Sequence, residues 1–282
     1  FDYVYIDSTN NELQKNNKPV NHQAGVLAHT LNPYHSADVL FLIITCALSC
    51  SCSAGVVMMD KENVVWLLHS TPKFPNGDES NNFFPESGET KAQIFMCVTL
   101  KSTESAQIGK SMSKLFLHHL KDINAHIFKE HNPEKLKDSS KEQRKRPYHK
   151  DLSSAGSLMF VFPFAEGDLY FYIADTLESN LYIQTWRSNP EDTDITDENQ
   201  NLYNIVEVKA GGSKWEYRSD HSKWCVSDSK AWMCIGDSNR EPSQFERPGG
   251  ALCINSKHVA NVKLFWLPCF LGRINLQNSH CI

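Results

Sequence analysis

The stretch that decides the fold of this 282-residue chain runs from residue 220 to residue 240. It begins Asp-His-Ser-Lys-Trp-Cys-Val at 220–226 and ends Cys-Ile-Gly-Asp-Ser-Asn-Arg at 234–240. The apolar runs predict two strands, Trp224–Val226 and Trp232–Ile235. Because residues i and i+2 of a strand point the same way, we expect His221 and Lys223 to face one point.

An imidazole and an ammonium that face one point suit the chemistry of a phosphate group. The His can act as nucleophile or general acid, and the Lys supplies a fixed positive charge for the phosphoryl oxygens. A second His-x-Lys triplet spans His119–Lys121. It lies in a long amphipathic helix predicted over Ile108–Glu130, where residues i and i+2 do not share a face. Only His221 and Lys223 therefore predict a phosphate site.

The remaining sequence predicts many strands and few helices. Further strands are predicted at Phe1–Ile6, Val39–Thr45, Gly55–Met59, Val64–His69, Ile94–Leu100, Ser157–Phe162, Leu169–Ile173, Leu181–Trp186 and Asn204–Val208. Residues 55–69 form a hairpin in this interpretation, and Val259–Leu267 fits either a helix or a strand. The pattern predicts a mixed α+β protein. We place its two halves at residues 1–150 and 151–282, because a charged run at 129–153 reads as a solvated loop.

Composition and charge exclude several classes of protein. Hydrophobic residues make up 40% of the chain, which excludes wholesale disorder. The net charge of −5 excludes strong steering toward nucleic acid at neutral pH, although protonating all 12 His would bring it to +7. Residues 39–59 carry no charge, but only 39–48 are continuously apolar, too few for a membrane helix. We therefore expect no membrane partner.

The cysteine count and the first residue favour an extracellular protein. Nine Cys, an odd number, predict some disulfides and at least one unpaired thiol in a secreted chain. The chain starts at Phe1, so we expect either a removed signal peptide or a truncation. A lysosomal location is the alternative.

Two further blocks give the sequence a family resemblance. Residues 66–75 read Trp-Leu-Leu-His-Ser-Thr-Pro-Lys-Phe-Pro, and residues 248–253 read Pro-Gly-Gly-Ala-Leu-Cys. With residues 220–240 they strongly resemble the deoxyribonuclease II family, acid endonucleases related to the phospholipase D superfamily. The divergent secreted members of parasitic nematodes are especially similar. The resemblance covers most of the chain.

The resemblance implies a fold and a mechanism. The fold would be a phospholipase D-like pseudo-dimer, with helices on the outer faces of two sheet-containing halves. One His-x-Lys motif from each half would meet at a single site, where one His becomes phosphorylated and the other protonates the leaving oxygen. No metal or other cofactor would be needed. The implied neighbours of the phosphate are His69, Ser70, Asp237 and Asn239.

The sequence departs from this family at the first motif. The motif should stand immediately before Gly55, where the chain has Cys52-Ser53-Ala54, with neither His nor Lys. Loss of an acid or base group commonly costs about 10²–10⁴-fold in rate. The remaining His221 and Lys223 would then be vestigial, or retain residual activity.

Other groups could compensate for the loss, and each has a plainer interpretation. Cys52 is a nucleophile candidate without a visible base, so a disulfide with Cys46 or Cys50, or a buried thiol, is the plainer interpretation. His69 could serve as a surrogate acid or be a structural imidazole. A zinc site of these three cysteines with His35 fits no standard spacing.

The resemblance also implies a pattern of cysteines. Cys234 and Cys253 match a family disulfide, and Cys225 is expected to be a buried thiol. Cys97 matches a position whose partner segment this chain lacks, so it is expected to be free. Cys269 lacks its family partner, and Cys281 is a candidate substitute for that partner.

Three functions remain open from the sequence. The leading hypothesis is a secreted, catalytically inactive relative that binds DNA, a host protein or a second copy of itself. The alternatives are an active metal-independent acid endodeoxyribonuclease with a rearranged site and a structural or antigen-like protein. We expect weak DNA or phosphate binding at acid pH, where His221 and His69 would gain a proton. The oligomeric state stays open.

Overall fold

The computed structural model describes residues 2–7, 12–31, 40–44, 54–74, 83–104, 148–151, 158–162, 167–188, 200–245 and 250–261. Within them lie fifteen strands and three α-helices, which confirms the predicted α+β class. The strands are β1 (Val4–Tyr5), β2 (Gln14–Lys15), β3 (Leu40–Ile44), β4 (Ala54–Met59), β5 (Asn63–His69), β6 (Phe95–Lys101), β7 (Tyr148–Asp151), β8 (Leu158–Phe162), β9 (Leu181–Gln184), β10 (Leu202–Asn204), β11 (Glu207–Ala210), β12 (Ser213–Glu216), β13 (Trp224–Ser227), β14 (Trp232–Gly236) and β15 (Ala251–Asn255). The helices are α1 (Val26–Leu31), α2 (Leu169–Leu177) and α3 (Lys257–Asn261).

The first sheet is an antiparallel meander in the order β3-β4-β5-β6. The predicted hairpin over residues 55–69 is confirmed, and Asp60 closes its turn by accepting hydrogen bonds from the backbone N–H groups of Glu62 and Asn63 at 2.8 and 2.7 Å. The uncharged residues 39–59 supply the adjacent strands β3 and β4 rather than one helix. None of the helices described is long and apolar enough to cross a membrane.

The second sheet has seven strands in the order β10-β9-β13-β14-β15-β8-β7, antiparallel except for the parallel pair of β9 and β10. Alternation along the central strands gives it two apolar faces. Cys225, Cys234 and Cys253 pack on the face that helix α2 covers. Trp224, Val226 and Ile235 pack on the other face, together with Ile94 and Met96 from the β6 end of the first sheet. The two sheets therefore share an apolar contact next to the residues that precede β13.

The first sheet buries its other face against α1 and a group of aromatic side chains. Val56, Met58 and Leu67 form a core cluster with Leu27 and Leu31 of α1 and with Phe74 and Phe84. The aromatic segment follows β5 directly, so it lies beside His69 at the end of that strand.

The prediction of a strand over Leu169–Ile173 is wrong, because these residues begin helix α2. The Asp168 side chain caps the helix by accepting the Tyr170 N–H at 2.9 Å. Buried positions then recur at helical spacing: Leu169, Tyr170, Ile173, Ala174 and Leu177. The helix ends where Glu178 adopts a φ of 46°. A five-residue apolar window is too short to separate this pattern from that of a buried strand.

The single strand predicted at Asn204–Val208 is also wrong in its extent. Asn204 ends β10, and Val208 lies in β11, which forms a hairpin with β12. Gly211 and Gly212 turn that hairpin with φ of 59° and 83°, the left-handed pair that a tight two-residue turn requires.

Other sequence predictions agree with the structure only in part. Of Phe1–Ile6, Val4–Tyr5 pairs with Gln14–Lys15. The charged run was predicted to be a loop, but its residues Tyr148–Asp151 form β7 and join the second sheet beside β8. This strand lies across the predicted boundary at 150/151. The first residues of Val259–Leu267 are helical, as part of α3. The helix predicted at Ile108–Glu130 lies outside the described residues, as does the second triplet within it.

Candidate functional site

Asp220 fixes the backbone turn that precedes β13. Its carboxylate is buried and accepts hydrogen bonds from the Ser222 N–H at 2.7 Å and from the Trp215 indole N–H at 2.8 Å. Burial raises the pKa of this carboxyl, and the hydrogen bonds from Ser222 and Trp215 oppose that rise. The carboxylate thus sets the conformation of residues 220–222.

Lys223 is fully buried, which is rare for a lysine. Its ammonium donates to the backbone carbonyl of His221 at 3.0 Å. Since that bond folds the side chain back toward residue 221, the Lys223 charge lies next to the His221 backbone.

The backbone of His221 is held by a segment that leads into β6. Ala92 forms a parallel bridge with Asp220, donating its N–H to the Ser219 carbonyl and accepting the His221 N–H, both at 2.9 Å. The imidazole is half-buried, and its Nδ1 has no hydrogen-bond partner among the described residues. Burial, then the charges of Lys223 and Lys91, lower the pKa of His221 to about 4. The ring is therefore a neutral base at pH 5.

The loop after β14 carries a second carboxylate near Lys223. Both oxygens of Asp237 lie 3.0 Å from the Gly250 N–H, and the Ser238 hydroxyl donates to one of them at 3.0 Å. Burial raises the pKa of Asp237 to about 6, while these donors and the Lys223 charge pull it down. Asn239 is buried two residues further on, and its N–H donates to the Gln244 side chain at 2.7 Å.

A buried ion pair anchors this loop to α2, and the sequence analysis missed it. The Arg240 guanidinium donates from Nε to the Asp168 carboxylate at 2.7 Å and from Nη1 to Asn204 Oδ1 at 2.7 Å. Both charged side chains are almost fully buried. The only sequence signal was a helix-capping Asp, because the Arg lies 72 positions away.

His69 ends β5 on the first sheet, and Ser70 follows it. His69 is fully buried against the rings of Phe74 and Phe95, at centroid distances of 4.7 and 5.9 Å, and neither ring nitrogen makes a hydrogen bond within the described part of the chain. Burial lowers the pKa of His69 to about 3, against a smaller opposing effect of the nearby Thr71 backbone. Such an imidazole is neutral at pH 5 and is not available as a general acid.

Comparison with known proteins identifies the family. The sequence profile of deoxyribonuclease II matches residues 1–264. The chain belongs to the deoxyribonuclease II family. This confirms the resemblance on which the sequence interpretation rests.

Several family members are similar along most of this chain. Deoxyribonuclease-2-beta of Rattus norvegicus is 30% identical, with 92% of this chain and 80% of the relative aligned. Deoxyribonuclease-2 of the nematode Caenorhabditis elegans is 29% identical over 73% of this chain and 57% of its own. Plancitoxin-1 of Acanthaster planci is 29% identical over 73% of this chain and 61% of its own.

The residues at which the sequence predicts the family's first motif, 52–54, lead into β4. Ala54 begins the strand and lies opposite His69 of β5. Cys52 and Ser53 lie outside the described residues, as do Cys46, Cys50 and His35, so the disulfide and zinc interpretations of this loop stay predictions. Cys269 and Cys281 also lie outside the described residues.

The described cysteines follow the pattern that the family resemblance implied. Cys234 and Cys253 form a disulfide between β14 and β15, as predicted. Cys97 and Cys225 have free thiols, and Cys225 is buried. Burial raises the pKa of the Cys225 thiol well above its ordinary value, so this thiol is unreactive.

Proposed function

We propose that this protein is a secreted, catalytically inactive member of the deoxyribonuclease II family that binds phosphodiesters weakly through His221 and Lys223. The observation that carries the proposal is the residue at the start of β4. By the predicted position of the family motif, Ala54 replaces its Lys and Cys52 replaces its His. The intrachain disulfide supports an oxidising, extracellular destination.

Phosphoryl transfer in this family's manner needs two imidazoles with different tasks. One attacks the phosphorus, and the other gives a proton to the leaving oxygen. His221 can do only one of these, and no second histidine follows in the first motif. His69 is the substitute acid that the sequence suggested, but it is sealed among aromatic rings and its pKa of about 3 keeps it neutral. The protein therefore retains phosphate binding but lacks the second imidazole that cleavage requires.

The acid dependence expected from the sequence requires a correction. The pKa values of His221 and His69 lie at about 4 and about 3, so pH 5 does not protonate them. The earlier reason for stronger binding at acid pH is therefore wrong. Asp237, with a pKa of about 6, is a group near Lys223 that titrates between pH 7.5 and pH 5.

The decisive experiment is a nicking assay with supercoiled plasmid at pH 5 in the presence of EDTA. Purified wild-type protein should leave the plasmid supercoiled, while an active deoxyribonuclease II serves as the positive control. Metal-free nicking that His221→Ala abolishes would overturn the proposal and establish the alternative, an active acid endonuclease. A host protein or a second copy as partner is a separate question, answered by pull-down and sedimentation of the same preparation.

A further inference from the structure

Two polar atoms beside the His221–Lys223 site are sealed from solvent without a hydrogen bond in the described part of the chain. They are Nδ1 of His221 and the amide nitrogen, Nε2, of Gln93. Buried polar atoms nearly always have a partner, so each exception calls for an explanation. Both atoms belong to the junction between the segment leading into β6 and the segment leading into β13, which points to a polar group that binds there.

The hydrogen bonds of Gln93 determine which end of its amide is left to bind. The Ser70 hydroxyl oxygen accepts the Ile94 N–H at 3.0 Å, so its own proton is directed to Oε1 of Gln93, 2.6 Å away. The carbonyl end of the amide is thus occupied by Ser70. The remaining end is an NH₂ group, which can only donate. Gln93 therefore suits an acceptor such as an anion.

The backbone brings Gln93 and His221 together. Ala92 and Asp220 form the parallel bridge between the two segments, and Gln93 and His221 directly follow them. Successive side chains of an extended segment alternate between its two faces, so we expect the side chains of Gln93 and His221 to lie on the same face.

Lys91 brings a second positive charge to the same place. Its ammonium donates to the carbonyl of Arg218 at 3.0 Å, three residues before His221. That bond uses one of the three protons of the ammonium and leaves two for a ligand. The Lys91 charge also acts on the imidazole directly, since it is one of the causes that lower the pKa of His221. Two cations, Lys223 and Lys91, therefore lie near this ring.

We propose that Lys91 and Gln93 form the second half of an anion site at His221, in place of the missing first motif, and that its ligand is a phosphate oxyanion. Lys91 supplies the charge that the motif Lys would have supplied, and Gln93 supplies a fixed neutral donor. The site binds the phosphate group without adding a nucleophile or an acid. The inference deepens the proposed function and rests on its premise that His221 and Lys223 face a phosphate.

The test measures binding of inorganic phosphate by calorimetry and of a fluorescent dodecathymidylate by anisotropy, at pH 6 and low salt. Lys91→Met should weaken both about tenfold, the loss expected of one charge-assisted hydrogen bond. Lys91→Arg, which keeps the charge, should stay within about twofold of wild type. Gln93→Leu should also weaken both ligands. Binding of phosphate but not of the oligonucleotide would still support the site and would restrict its ligand to free phosphate.

Lys230→Met is the matched control. Lys230 is an exposed lysine in the turn at the far end of β13, where it pairs with Glu178 at 3.7 Å. Lys230→Met removes one positive charge, as Lys91→Met does, and we expect its affinity for phosphate and oligonucleotide to equal that of wild type. Equal affinities of Lys91→Met and wild type, or no saturable phosphate binding by wild type, would overturn the inference. Inorganic phosphate has no ester bond to cleave, so this result is independent of the plasmid assay, in which nicking would refute inactivity while leaving the Lys91 site intact.

Discussion

Ala54 lies directly opposite His69 in the antiparallel register of β4 and β5. The position at which we predict the motif lysine is therefore paired with a fully buried, neutral imidazole. A cation restored at residue 54 would stand across the strand from that imidazole. Restoring the two motif side chains would therefore place a cation opposite an imidazole whose aromatic surroundings are unchanged.

We expect Cys52→His and Ala54→Lys to be required together for nuclease activity. Each single variant still lacks either the second imidazole or the second motif cation, so plasmid nicking at pH 5 in EDTA should stay at background. Nicking above background is expected only in the double variant, and His221→Ala within it should remove the activity. Nicking by either single variant would contradict the two-motif requirement.

His69 should make the fold sensitive to acid. Its folded-state pKa of about 3 lies below the ordinary 6.5, so the unfolded chain takes up a proton first as the pH falls. The stability that the neutral ring contributes is complete above pH 6.5 and declines toward pH 3. Between pH 7.5 and pH 5 the decline should be about 2 kcal/mol in the free energy of unfolding.

His69→Phe and His69→Gln both remove this titration, one with a flat apolar ring and the other with a polar side chain. Urea unfolding of each variant at pH 7.5 and pH 5 should show a difference between the two pH values that is about 2 kcal/mol smaller than in wild type. An unchanged difference in both variants would show that the imidazole is not buried in the neutral form.

The sequence predicted those parts of the fold that depend on near neighbours along the chain. Alternating apolar residues and the polar turn at 60–63 were enough for the hairpin of β4 and β5. Helix α2 was missed because five apolar residues suit a buried strand or helix equally, and its cap and buried positions extend from Asp168 to Leu177. The Gly211–Gly212 pair is a clear sequence signal for the turn that separates β11 from β12.

The local sequence pattern predicted only the part of the candidate site whose residues are close together in the chain. His221 and Lys223 are two positions apart, and one hydrogen bond joins them. Lys91 and Gln93 reach the same place through a bridge between segments 128 residues apart, which no local pattern reveals. Burial, which shifts the pKa of His69, depends in the same way on the tertiary packing of aromatic rings rather than on the sequence around it.

Asp237 should control the pH dependence of DNA binding. Its pKa of about 6 means that it is mostly uncharged at pH 5 and charged at pH 7.5, where its negative charge opposes a phosphate near Lys223. Asp237→Asn keeps an acceptor for the Gly250 N–H and removes the charge. We expect this variant to bind oligonucleotide roughly fivefold more tightly at pH 7.5, corresponding to about 1 kcal/mol.

The measurement is fluorescence anisotropy at constant ionic strength, because phosphate binding weakens steeply with salt. Asp60→Asn, in the exposed turn of the first hairpin, removes the same charge elsewhere and should bind as wild type does. If Asp237→Asn and wild type had the same affinity at pH 7.5, another group would have to govern the pH dependence.

The Arg240–Asp168 pair should be the most strongly coupled ion pair among those described. Both side chains are nearly inaccessible, at 0% and 2% exposure, and the pair ties the loop of Asp237 and Asn239 to the first turn of α2. Arg240→Met leaves a carboxylate buried without its cation, which should cost about 3–5 kcal/mol in the free energy of unfolding. Asp168→Asn retains a good helix cap but leaves the guanidinium without its counter-charge.

The double variant removes both charges at once and should therefore lose much less than the sum of the two single losses. A double-mutant cycle by denaturant unfolding at pH 7 should give a coupling energy of at least about 2 kcal/mol. The pair of Lys214 and Glu207 on the β11–β12 hairpin, 2.6 Å apart and with Lys214 62% exposed, provides the comparison cycle. Water and salt screen that pair, so its coupling should stay below about 1 kcal/mol. Equal coupling energies in the two cycles would mean that burial does not strengthen the Arg240 pair, and the loop would then depend on the Asn204 and Gly250 hydrogen bonds instead.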